Sequence, residues 1–86
     1  MKTSRFDIRL NHPDGPFDFE IVLDYEDGVY FTHENDYVVQ RSSGADYRFG
    51  LYRNDAKLGT VFDGGYATLA DVAHDIALFR FAKTSR

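Results

Sequence analysis

The sequence predicts an α+β domain: an antiparallel hairpin meander of five or six strands with one C-terminal helix packed on its apolar face. Three observations carry this. Residues Phe17–Glu26 alternate apolar and acidic side chains almost without a break, turn-forming clusters recur between further alternating runs, and the last twenty residues change from a period of two to a helical one. Successive side chains on a strand point to opposite faces, so Phe17, Phe19, Ile21, Leu23 and Tyr25 form a core face. Asp18, Glu20, Val22, Asp24 and Glu26 form a wet one.

Arg5–Leu10 alternates in the same way, with Phe6, Ile8 and Leu10 inward. The segment Asn11–Pro16, with two prolines and a glycine, reverses the chain. Pairing Leu10 with Phe17 then sets Ile8 opposite Phe19 and Phe6 opposite Ile21, while Arg9 meets Asp18 and Asp7 meets Glu20. Every inward residue faces an inward one, as a correct register requires. For the next reversal, Glu26-Asp27-Gly28, a two-residue loop would pair Leu23 with Thr32 and mix the faces. A three-residue loop bulged at Gly28 pairs Tyr25 with Val29 and Leu23 with Phe31, and is the expectation. It sends Tyr30, Thr32 and Glu34 to the wet face.

Tyr37–Arg41 reads as a short strand and Ser42–Asp46 as a loop. Tyr47–Arg53 and Leu58–Phe62 form the last hairpin across Asn54-Asp55-Ala56-Lys57, with Phe49 expected opposite Phe62 and Leu51 opposite Thr60. Asp63-Gly64-Gly65 is expected to stop the sheet. Thr68 with Asp71 three residues on resembles a capping box before the helix. Leu69, Val72, Ala73, Ile76 and Phe79 fall on one stripe, and Asp71 at the start with Arg80 and Lys83 at the end suits the helix dipole. Residues 1–4 and 83–86 are expected to be loose ends of a single domain spanning 1–86. One helix cannot cover six strands, so either the sheet curls on itself or another molecule closes part of its apolar face.

Composition narrows the function classes. The chain has 86 residues, a net charge of −4 and no cysteine, so it holds neither disulfides nor thiolate metal ligands, and a reducing, cytoplasmic setting is the expectation. No stretch approaches the length of a membrane span, so no membrane association is expected. The charge is unevenly placed. Between Leu10 and Gln40 lie Asp14, Asp18, Glu20, Asp24, Glu26, Asp27, Glu34 and Asp36 without one Lys or Arg, whereas the stretch from Arg41 onward has seven bases and five acids. Such an asymmetry directs a field toward partners and disfavours nucleic acid on the acidic side.

No catalytic constellation stands out. His33, Glu34 and Asp36 combine an imidazole with carboxylates, yet their spacing follows no metal-binding pattern. His74 and Asp75 are neighbours on a helix and do not face each other. Gly64-Gly65 before a helix has the look of a phosphate loop but lacks its lysine and carries Asp63. No metal or cofactor is expected, and the chain is read as non-enzymatic.

Two surfaces remain. Alternate strand residues stand about 6.6–6.8 Å apart, close to the roughly 7 Å between successive phosphates of a DNA strand. A row of Asp18, Glu20, Asp24 and Glu26, thickened by Glu34 and Asp36, is therefore shaped to occupy a basic groove. The leading reading is a module that inhibits or regulates a basic, nucleic-acid-handling protein through this face, as a nucleic-acid mimic. The second surface is on the helix, where Leu78 and Phe81 lie off the core stripe and suggest a homodimer or homo-oligomeric accessory domain. A further alternative is RNA or single-stranded DNA on Tyr47-Arg48-Phe49-Gly50-Leu51-Tyr52-Arg53, which interleaves bases and aromatics.

Overall fold

The computed structural model describes residues 2–43 and 46–84. Met1, Ser85 and Arg86 of the expected loose ends, and Gly44 and Ala45 of the expected loop, lie outside the described residues. Six strands form one antiparallel sheet in sequence order: β1 (Lys2–His12), β2 (Gly15–Glu26), β3 (Val29–Thr32), β4 (Tyr37–Arg41), β5 (Phe49–Asp55) and β6 (Gly59–Tyr66). Helix α1 (Leu69–Thr84) follows. This is the α+β meander with a C-terminal helix that the alternation predicts.

The β1–β2 hairpin has the predicted register, with Leu10 opposite Phe17, Ile8 opposite Phe19 and Phe6 opposite Ile21. It is longer than expected. Lys2, Thr3 and Ser4 pair with Tyr25, Asp24 and Leu23, so these N-terminal residues are a strand and not a loose end. At the other end, residues 83 and 84 still belong to the helix.

The β2–β3 turn differs from the expectation. Leu23 pairs with Thr32 and Tyr25 with Tyr30, the register of a two-residue loop. Asp27 and Gly28 both take positive φ, 54° and 85°, as a type I′ turn requires to match the twist of the strands. Tyr30 and Thr32 are thereby buried on the helix side and not on the wet face. Mixing the faces carries no penalty here because β3 is apolar on both sides, with Val29 and Phe31 facing outward.

The β5–β6 register also differs. Phe49 faces Tyr66, Leu51 faces Gly64 and Tyr52 faces Phe62, with an irregularity between Leu51 and Tyr52. The strand runs on through Asp63-Gly64-Gly65 to Tyr66 and does not stop there. One extra residue on β6 reverses its alternation, as a bulge does, and turns Phe62 to the outer face. The loop needs Gly59 at φ 78°, and Asp55 Oδ1 accepts the N–H groups of Lys57 and Leu58 at 2.8 and 2.9 Å. These bonds hold the Asp55 carboxyl below the usual carboxylate range.

The Thr68 hydroxyl accepts the Asp71 N–H at 3.1 Å and caps the helix. From there α1 crosses the sheet toward the β1–β2 hairpin, where Phe81 packs against Phe17 at a centroid distance of 4.9 Å. Sixteen residues give a helix about 24 Å long, close to the roughly 24 Å width of six strands at about 4.8 Å spacing. The helix packs against β1 and β2 and against β5 and β6, and so spans the sheet from one edge to the other. Val72, Ala73, Ile76 and Ala77 meet Leu10, Ile21, Leu23, Tyr30, Tyr37, Val39 and Leu51 in the core. Tyr37 stacks on Phe79 with centroids 6.0 Å apart. The Tyr66 hydroxyl, desolvated and bonded to Asp75, titrates well above its ordinary range.

Candidate functional site

With the helix on one face, the opposite face of the sheet is left to solvent, and it divides into two halves. The first, on β1 and β2, is charged. Arg9 grips Asp18 with two bonds, Nε to Oδ1 at 2.8 Å and Nη2 to Oδ2 at 3.2 Å. This pairing draws the Asp18 carboxyl below its ordinary value. Arg5 Nη1 lies 3.2 Å from Glu20 Oε1. Asp24 is not on the surface at all: it is 7% exposed. Its carboxylate accepts the Thr3 hydroxyl at 2.8 Å and lies 2.8 Å from His33 Nε2. Burial is tolerable for a carboxylate so supplied with partners.

Glu34 and Asp36, expected to thicken the row, are drawn to the helix instead. Arg80 Nη2 bonds Glu34 Oε2 at 2.7 Å and Asp36 Oδ1 at 3.2 Å. Asp36 also accepts the Thr32 hydroxyl, and that oxygen in turn accepts the Tyr37 N–H. Of the His33, Glu34 and Asp36 cluster, the two carboxylates thus strap the β3–β4 turn to α1, while His33 turns to Asp24. Among the described residues no group of three or more His, Cys, Asp or Glu side chains is arranged to hold a metal ion. Of the six predicted carboxylates, Asp18, Glu20 and Glu26 are exposed on β2, and only Glu26 has no side-chain partner among the described residues.

The second half, on β3 to β6, is aromatic. Pairing across the strands aligns Phe31, Val38, Tyr52 and Phe62 in one row that begins beside Asp24. Phe62 is 49% exposed. Tyr52 meets it edge-on at 5.3 Å, and Tyr47 lies at 5.8 Å. Tyr47 reaches this position over glycine: a Cβ on Gly65 would fall 2.3 Å from its ring, and one on Gly50 would fall 3.4 Å from it. Sequence reasoning missed this row because it placed Phe62 inward, opposite Phe49. The glycines at 50, 64 and 65 were the available signal, since a strand glycine often marks a bulge or a close approach.

The helix residues Leu78 and Phe81 separate. Leu78 is 42% exposed, whereas Phe81 is half-buried against His12, Phe17 and Phe19. Phe81 is thus part of the packing that closes the hairpin over the helix end. Among the described residues no helix is long and apolar enough to cross a membrane. No protein-family model, curated protein or solved structure matches the chain.

Proposed function

We propose that this chain is a non-enzymatic protein-binding module that regulates or inhibits a basic protein, a nucleic-acid-handling one being the class with the most extensive basic surface. The observation that carries the reading is the aromatic row Phe31, Val38, Tyr52 and Phe62 on the face opposite the helix, which no element among the described residues covers. Aromatic side chains are enriched where protein interfaces concentrate their energy. The carboxylates of β2 flank the row, and Glu26 with Asp27 adds negative charge at its border, which favours and steers a basic partner. Arg5 and Arg9 interrupt the acidic row, so the contact shifts from an unbroken phosphate-like ladder to the aromatic half with an acidic rim.

Capture of the partner by wild type and by a Tyr52→Glu, Phe62→Glu double variant tests this. Loss of a central aromatic contact of about 2 kcal/mol corresponds to roughly 30-fold weaker binding. Retention of wild-type affinity by the double variant would overturn the reading. Two other occupants are distinguished in the same experiment. Capture that disappears on nuclease treatment assigns the row to single-stranded nucleic acid. A light-scattering mass of twice 9.9 kDa that Leu78→Glu halves assigns the apolar surface to a second copy of this chain.

A further inference from the structure

On the helix side, where β4 runs into the loop before β5, Arg41, Ser42, Ser43, Arg48 and Phe49 line an open cavity of about 640 Å³. That is within the range of about 300–1,000 Å³ typical of small-ligand sites. Its charge is out of keeping with the rest of the molecule. Arg5, Arg9, Arg53 and Arg80 are all ion-paired to carboxylates. Among the described residues Arg41 and Arg48 are the arginines that have no carboxylate partner, and both line this one cavity. Among the described residues no Asp or Glu lines it.

The site is also held in place. Arg41 is the cross-strand partner of Phe49, and its Nη2 donates to the Tyr30 hydroxyl at 3.2 Å, with no other side-chain bond of its fork among the described residues. The backbone N–H of Arg48 donates to the Tyr66 carbonyl at 3.1 Å, and the Arg48 carbonyl accepts the Ser42 N–H at 2.8 Å. Neither serine hydroxyl has a hydrogen-bond partner among the described residues. The Phe49 ring, 6.2 Å from Tyr30, supplies an apolar wall.

We infer that this cavity binds a phosphate monoester, with the phosphate between Arg41 and Arg48 and the organic portion against the Phe49 ring. A carboxylate satisfies one guanidinium fork with its two oxygens. A phosphate monoester offers three terminal oxygens and up to two charges, enough for two forks and a hydroxyl. A planar organic portion stacks on an aromatic ring, as nucleobases do. This site lies on the helix side of the sheet, so it stands or falls independently of the outer aromatic row.

The test is amide chemical-shift titration of the whole chain with adenosine 5′-monophosphate, inorganic phosphate, adenosine and acetate. The expected result is saturable binding of the monophosphate, with shifts centred on Arg41, Ser42, Arg48 and Phe49. Inorganic phosphate should bind the same residues more weakly, and adenosine and acetate should not saturate. In the Arg41→Gln, Arg48→Gln variant, whose melting temperature should match wild type because both side chains are exposed, affinity should fall at least about tenfold. Arg48→Lys, which keeps the charge and loses the fork, should fall between the two. Shifts centred elsewhere, equal binding of adenosine or acetate, equal binding of inorganic phosphate and the monophosphate, or wild-type affinity in the double Gln variant would each overturn the inference.

Discussion

The two halves of the outer face meet the same solvent and solve the problem differently. On β1 and β2 two of the exposed acids are answered by an arginine one strand away, Asp18 by Arg9 and Glu20 by Arg5. Such exposed pairs contribute little to stability, since screening and side-chain entropy absorb most of the attraction. They keep that half wet and discourage edge pairing on β1. On β3 to β6 the same face carries a ring on each of three strands and a valine on the other, with a fourth aromatic, Tyr47, laid over glycines. A charge-answered surface is complete in itself. The aromatic row, with Phe62 half-exposed, is the surface on which the proposed partner would rest.

The sharpest way to break the contrast is Gly65→Ala. The new Cβ collides with the Tyr47 ring at 2.3 Å, and displacing that ring should destabilise the domain by about 1–3 kcal/mol. In a Tyr47→Ala background the same substitution should be nearly neutral, and a melting temperature that falls equally in both backgrounds would show that the ring does not rest on Gly65. A smaller effect is expected from Arg80→Ala, which releases Glu34 and Asp36 from the end of α1. Because Glu34 is mostly exposed and Asp36 keeps the Thr32 hydroxyl, a loss of about 1 kcal/mol is expected by denaturant titration.

Arg5→Gln with Arg9→Gln should leave the melting temperature nearly unchanged while baring the β2 carboxylates. If partner affinity rises, the acidic half takes part in recognition; no change would confine binding to the aromatic half. The smallest effect concerns pH. The Lys57 and Leu58 N–H groups hold Asp55 ionised in the fold more readily than in the unfolded chain, whose value is near 3.8. Its stabilisation is complete above that value and lost as pH falls below it through the folded-state value. Asp55→Asn should therefore flatten the acid limb of melting temperature against pH below about 4, and an unchanged limb would show that the loop bonds do not depend on the charge.

Local alternation was enough to place six runs of strand or turn and one capped helix, because side-chain direction repeats every two residues in a strand whatever it packs against. The β1–β2 register was legible for the same reason: one face is apolar throughout and the other polar, so a slip by one residue exposes the core. The identity of the helix stripe followed from its spacing. Where both faces of a strand carry apolar residues, as in β3 with Val29, Tyr30, Phe31 and Thr32, that signal vanishes. Only the positive φ of Asp27 and Gly28 decides the β2–β3 register. Likewise Phe62 looks inward by spacing and is turned outward by one extra residue in β6. The carboxylates were legible as charges but not as a surface. Whether an acid joins a row, sinks beside Thr3 and His33 like Asp24, or straps a helix like Asp36 depends on residues far away in sequence, and pairing over such distances exists only once the chain has folded.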